Sequence, residues 1–181
     1  PVDVAQLGAD LIALSPHRFG GPKGAGVLYR KSSVGVENLI HGGMQENEHR
    51  AGTENVAAIV GAGVAAKQAG AALGQAAANA AELQVSLLDG ICRTVDGVHL
   101  NGPEPGDERL PHQLSLSTEG VEGEGQALML DMRGVAIAAG AACTTRSLRL
   151  PPALHAIGRE ADLAKGTTLW SIGRNLSLIH I

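Results

Sequence analysis

The stretch Leu14-Ser-Pro-His-Arg-Phe-Gly-Gly-Pro-Lys-Gly-Ala-Gly-Val-Leu28 decides how the rest of the chain is read. Apolar Leu11 to Leu14 leads into it as a short strand, and Val27 to Tyr29 leaves it as a second. Glycine and proline punctuate the turn between them. Strand ends in α/β proteins present functional groups. Ser15 and His17, at the end of the first strand, are side chains that hold a phosphate. Arg18 stands beside them. Taken singly, Ser15 reads as a strand-end cap or a solvated residue.

The 181 residues are compatible with one domain, or with one and a small part of another. The core is built from Ala, Val, Leu and Ile, with Phe19, Tyr29 and Trp170 as the aromatics. Abundant Gly and Ala favour close helix packing. A net charge of -4 gives no electrostatic reason to expect nucleic acid or an anionic membrane as partner. Two cysteines, Cys92 and Cys143, are too few for a disulfide framework or a zinc site, and a reducing cytoplasm is the expected compartment. No apolar run approaches the roughly 18 residues of a membrane span. The chain opens at Pro1 without Met, so a fragment beginning in mid-fold is expected.

Outward from the opening stretch, Asp3 to Leu7 reads as a helical turn and Ser32 to Asn38 as a polar connection. His41-Gly-Gly-Met-Gln-Glu-Asn-Glu-His-Arg-Ala-Gly-Thr53 is too polar and too glycine-rich for a core element. Thr53 is placed to cap a helix, with Glu54 in its first turn. Val56, Ile59, Val60, Val64 and Ala65 recur at helical spacing, while Gly61 and Gly63 suggest close packing. Gly70 and Gly74 loosen the register, and a second helix is expected from Gln75 to Val95. Leu83, Leu87, Leu88 and Ile91 form its apolar stripe with Cys92, which reads as core.

Further on, Val98 to Leu100 and Gln113 to Ser117 read as strands. Glu124 to Arg133 reads as a helix with Leu128 and Met129 facing inward, and Val135 to Ala138 as another strand. Together these make a β-helix-β unit. Gly140 to Pro152 is a loop bearing Cys143, Pro152 to Ile157 restarts a helix, and Thr167 to Ile172 is a last strand before Gly173 and Arg174. His41 and His49 have no Cys or acidic residue at ligand spacing, so no metal is expected.

Four segments, in this order, resemble the cysteine desulfurases, a branch of the class V aminotransferases that uses pyridoxal phosphate (PLP). Ser15, His17 and Gly21-Pro-Lys-Gly24 match the cofactor-lysine segment, with Arg18 at the position of the Schiff-base lysine. His41-Gly-Gly-x-Gln-Glu-x-x-x-Arg-x-Gly-Thr53 matches a second segment. Val121-Glu-Gly-Glu124 followed by Gly140-Ala-Ala-Cys-Thr-Thr145 matches the mobile catalytic loop, and Trp170-Ser-Ile-Gly-Arg174 the segment that ends in an arginine.

The resemblance implies an α/β, aspartate aminotransferase-like PLP transferase fold. Residues 1–74 would be the end of the large PLP-binding domain with the start of a connector helix. Residues 75–175 would be the small C-terminal α/β domain, and residues 176–181 a non-native tail. Ser15, His17 and Thr53 would bind the cofactor phosphate, Thr53 in the partner subunit of a homodimer. Arg174 would clamp the carboxylate of L-cysteine. Cys143 would become a persulfide, with Arg146 favouring its thiolate. Sulfur would pass to an acceptor or iron-sulfur scaffold, or to tRNA thiolation. A guanidinium cannot form the Schiff base, so the alternative is a family member that serves as an interaction or regulatory subunit. A sulfur carrier that needs only Cys143 is a further reading.

Overall fold

A computed structural model describes residues 2–140 and 151–177. The chain divides into two compact units, Pro1–Gly74 and Gln75–Ile181.

In the first unit, α1 (Val4–Leu7) is a single turn capped by the Asp3 carboxylate, which accepts from the Ala5 and Gln6 amides. Strands β1 (Leu11–Leu14) and β2 (Val27–Arg30) pair antiparallel, with Leu11 opposite Arg30 and Leu14 opposite Val27. A 3-10 turn, Pro16–Phe19, follows β1 directly. Asp10 and Lys31 close the open end of the hairpin at 2.7 Å. Both side chains are exposed, so the pair adds at most about 1 kcal/mol.

A single helix, α2 (Val56–Thr94, 39 residues), replaces the two helices expected in series. Alanine on every side keeps the helix favourable through Gly70 and Gly74, whose individual cost is about 1 kcal/mol. The helix starts two residues later than a Thr53 cap implies. Asn55 is its cap: the Asn55 Oδ1 accepts from the Ala58 amide at 3.2 Å, and Thr53 and Glu54 lie outside the first turn.

The buried face of the first half of α2 is Ala58, Ala62 and Ala65, whereas Val56, Ile59, Val60 and Val64 are exposed. Of the expected stripe only Ala65 is buried, and its larger members are turned out, because small side chains sit where the backbone comes close. A Cβ on Gly61 would lie 2.9 Å from Pro22 Cγ, but one on Gly63 would meet nothing within 4 Å. By length and composition α2 is also apolar enough to cross a membrane, which the sequence reading missed. Alanine, counted as apolar, makes the difference.

In the second unit, β3 (Val98–Leu100), β4 (Gln113–Thr118), β6 (Thr167–Ser171) and β5 (Ala138–Ala139) form one sheet in that order, every neighbouring pair antiparallel. β4 and β5, both antiparallel to β6, run parallel to each other, so β4, α3 (Gly123–Asp131) and β5 are a split β-helix-β unit. β5 is shorter and later than the expected Val135 to Ala138.

The strand alternation sends Leu114 and Leu116 into a core with Leu88, to which Leu87, Ile91, Val98, Leu100 and Trp170 add. Leu128 and Met129 on α3 are exposed instead of inward, and Cys92 is exposed instead of core. Each lies away from the face its helix buries. Two short helices, α4 (Pro152–Ala156) and α5 (Ala161–Lys165), precede β6. The second had no apolar period to announce it.

The other face of β4 is polar, and its serines are paired. Ser117 and Thr167 hydroxyls meet at 2.7 Å, the Asn101 amide donates to Ser117 at 2.9 Å, and Arg159 Nε donates to Asn101 Oδ1 at 2.6 Å. Gln84, only 1% exposed on α2, donates from Nε2 to the carbonyls of Leu110 (2.9 Å) and Gln113 (2.8 Å).

Replacing Gln84 with Leu removes both hydrogen bonds that this buried side chain donates and should lower unfolding stability by roughly 1–3 kcal/mol, measured by urea denaturation. Gly61→Ala should lower the thermal midpoint through overpacking on Pro22, whereas Gly63→Ala should raise it, the gain being about 0.5–1 kcal/mol. Asn55→Ala should cost about 1 kcal/mol of stability and Thr53→Ala almost none, the reverse of the ranking the sequence suggests.

Candidate active site

Four residues of β1 and a proline determine where the first site residues stand. Pro16 fixes the first position of the 3-10 turn and is buried, while Ser15, His17 and Arg18 around it are exposed. The turn ends at Gly20, left-handed at φ 90°, whose conformation few other residues adopt. Gly21 then folds back, its amide donating to the Pro16 carbonyl at 2.9 Å. A side chain at Gly21 would strike that same carbonyl at 2.9 Å.

Among the described residues Ser15, His17 and Arg18 have no side-chain hydrogen bond or ion pair, and neither has Lys23. The Ser15 hydroxyl does not cap the turn it precedes. Three donor side chains therefore leave one short turn with their capacity unused. Among the described residues the two cations Arg18 and Lys23 form no ion pair.

The turn is braced from α2. Asn55 Nδ2 donates to the Gly24 carbonyl at 3.4 Å while its Oδ1 caps the helix, and Pro22 rests against Gly61. Asn55 was not singled out from the sequence, although Asn leads the ranking of capping residues. Thr53 is exposed, two residues before this brace, and its hydroxyl has no partner among the described residues.

The segment from His41 to Thr53 is held by its own bonds. Gln45 Oε1 accepts from the Gly52 amide at 3.3 Å, the Ala51 amide donates to the Ile40 carbonyl at 3.3 Å, and Asn38 Nδ2 donates to the Glu48 carbonyl. Glu46, Asn47 and Glu48 are all left-handed, with φ of 50°, 55° and 65°. Arg30 donates to the His49 ring at 3.2 Å, so His49 is a hydrogen-bond acceptor there. Among the described residues no group of three or more His, Cys, Asp and Glu gathers as metal ligands would.

Arg174 belongs to the second unit, in the turn after β6, exposed and without a hydrogen bond or ion pair among the described residues. Buried Ile172, whose amide donates to the His112 carbonyl at 2.8 Å, fixes the chain two residues before it. Glu122 and Gly123 open α3, and Gly123 is obligatory there: a Cβ would lie 2.2 Å from the Thr167 carbonyl oxygen. Cys143 and Arg146 fall outside the described residues. The structure thus brings Ser15, His17 and Arg18 together on one turn, with Thr53 on the strand of chain that leads to its brace.

The profile of the family described as aminotransferase class-V matches residues 1–160. The cysteine desulfurase IscS of Dictyoglomus turgidum is 40% identical over 173 residues, which are 96% of this chain and 43% of that protein. That of Methanosarcina thermophila is 38% identical over 174 residues, 96% of this chain and 42% of that protein. The chain therefore spans less than half the length of these relatives. Among solved structures, a NifS-like protein superposes with a TM-score of 0.85 at 30% identity, covering 99% of this chain and 45% of that one. SspA in complex with cysteine superposes with a TM-score of 0.67 at 27% identity, covering 94% of this chain and 46% of that one. The α/β class and the kinship expected from the four segments are both borne out, and the chain belongs to the aminotransferase class-V family.

Proposed function

We propose that this chain carries the phosphate-binding turn, the sulfur-accepting cysteine and the substrate arginine of a PLP-dependent cysteine desulfurase. The observation that supports this most is the match, over 96% of the chain, to a relative named as that enzyme. The net reaction is balanced without an external reductant. The C–S bond of L-cysteine breaks, the sulfur joins the Cys143 thiol as a persulfide, and the carbon that lost it takes up a proton to give L-alanine.

PLP, where an enzyme carries it, supplies an electron sink for such bond cleavage. The residues present fit one end of it. Ser15 and His17 offer unpaired donors on a rigid turn to a phosphate, and Thr53 would supply another, reaching the phosphate of the partner subunit in a homodimer. They do not fit the other end, because residue 18 is Arg and a guanidinium is neither neutral nor nucleophilic at any physiological pH. Arg174 has the bidentate fork that a cysteine carboxylate requires. Cys143 would hand its sulfur to an acceptor protein, an iron-sulfur scaffold or the tRNA thiolation route, in the cytoplasm.

Arg18 also favours a second reading, in which the protein keeps the fold and serves as an interaction or regulatory subunit with impaired catalysis. One experiment separates the two. The protein and its Arg18→Lys variant are each given PLP and L-cysteine, and the Cys143 peptide is weighed by mass spectrometry. The lysine variant is expected to load sulfur at least ~100-fold faster, since it regains both an amine and a proton carrier. Equal loading by the parent would refute the chemical argument against Arg18. No loading by either would leave the kinship one of fold, and the desulfurase reading would be withdrawn.

A further inference from the structure

We infer that the outward face of α3 is a docking surface for a helical segment of a separate protein, one whose apolar seam is flanked by Lys or Arg. Nothing in this depends on the desulfurase reading. Leu128, Met129 and Met132 are 64%, 54% and 78% exposed. With Gly125 they follow the i, i+3, i+4, i+7 spacing of one helix face, Met132 continuing the helical path as the C-cap. The helix cannot roll to bury them, because its other side is pinned. Gly123 is buried against the Thr167 carbonyl, and Gln126 Nε2 donates to the Gly166 carbonyl at 3.1 Å.

Charge specifies the occupant. Glu124 and Asp131 stand one heptad apart along one edge of this face, exposed and without an ion pair among the described residues. In heptad terms Gly125 and Met132 are a positions and Leu128 is d, while Glu124 and Asp131 are g, a position that selects partners by charge. A second copy of α3 offers these acids no cation: antiparallel packing sets acid against acid, and parallel packing sets acid against Met129. A helix bearing Lys or Arg beside its seam does. A Cβ at Gly125 would meet nothing within 4 Å, so no contact among the described residues demands a glycine there, at a position where Ala favours the helix more. On the outward face its missing side chain leaves a hole for a partner's knob, and the two methionines adapt to the shape around it. A helix this short buries less than the ~800 Å² per side of a standard interface, so the contact is weak and reversible.

Fluorescence anisotropy with the purified protein and two labelled three-heptad peptides tests this. Both peptides carry Leu at a and d; one has Lys and the other Glu at e and g. The Lys peptide should bind at least about tenfold more tightly than the Glu peptide at low salt, a preference that shrinks as salt is raised. Leu128→Ser with Met132→Ser should weaken the Lys peptide about tenfold or more. Val56→Ser with Val60→Ser, which strips a similarly exposed stripe from α2, should leave its affinity unchanged. Glu124→Lys with Asp131→Lys should reverse the preference, so that the Glu peptide binds the better. Asp107→Lys with Glu108→Lys, the same change of charge placed on a loop, should not reverse it. Circular dichroism checks that every variant keeps the parent's helix content.

Equal binding of the two peptides overturns the inference, as does binding of neither. So does unchanged affinity in the Leu128 and Met132 variant, or a reversal that the loop variant reproduces. If sedimentation finds a dimer that the Leu128 and Met132 variant turns into a monomer, the occupant is a second copy and the inference falls as well.

Discussion

Missing Cβ atoms determine how close one stretch of backbone can come to another in this chain. Without a side chain at Gly61, the first turns of α2 lie directly on Pro22, where a methyl group would be 2.9 Å away. Asn55 then reaches both the helix and the Gly24 carbonyl. The same economy recurs in the second unit, where a Cβ on Gly166 would lie 2.0 Å from the Thr118 carbonyl oxygen and one on Gly123 2.2 Å from that of Thr167. At these positions glycine is thus a packing requirement. Bulky core layers are replaced by close contact of main chains, which gains many weak dispersion contacts rather than a few large buried side chains.

The polar groups follow two opposite rules. In the second unit they are buried and satisfied: among the described residues no buried side-chain nitrogen or oxygen lacks a partner. The Asn101, Ser117, Thr167 and Arg159 network fixes where β3, β4 and β6 meet, since an unpaired member would cost more than the network gains. On the Ser15 to Arg18 turn the donors are exposed and without partners among the described residues. Water satisfies them at no cost, and a ligand that replaces that water finds them already in place. A rigid backbone with idle side chains is what low-entropy anion binding requires.

The parts of this structure governed by local pattern were legible in the sequence. Leu11 to Leu14 was read to the residue, because a short apolar run stops there at the glycine-punctuated turn. In the second unit β3, β4 and β6 were found from similar local pattern, and β5 was placed too early. What failed depended on which face the partner element occupies, and a single chain does not encode that locally. Val56, Ile59, Val60 and Val64 have the period of a buried stripe, yet the neighbouring alanines are the buried ones. Gln84, which the sequence reading did not single out, is a buried clamp. The start of α2 was misplaced because Thr53 and Asn55 are both competent caps, and the carbonyl of Gly24, far off in sequence, favours Asn55. Of the candidate site, Ser15, His17 and Arg18 were legible as a group since one turn holds them. Asn55 was not.

The left-handed run at Glu46, Asn47 and Glu48 constrains the order in which the chain acquires its structure. Each non-glycine residue there costs on the order of 1–2 kcal/mol, with Asn47 the least strained. Part of this is offset locally, by the Glu48 amide donating to the Met44 carbonyl and the His49 amide to the Glu46 carbonyl. The rest of the compensation comes from Asn38, Ile40 and Gln45, whose bonds to Glu48, Ala51 and Gly52 arch over it. Those bonds exist only after the surrounding chain is positioned, so the run closes late in folding and is among the first places to open. Its amide protons exchange with solvent through local openings, well before the hairpin of β1 and β2 does.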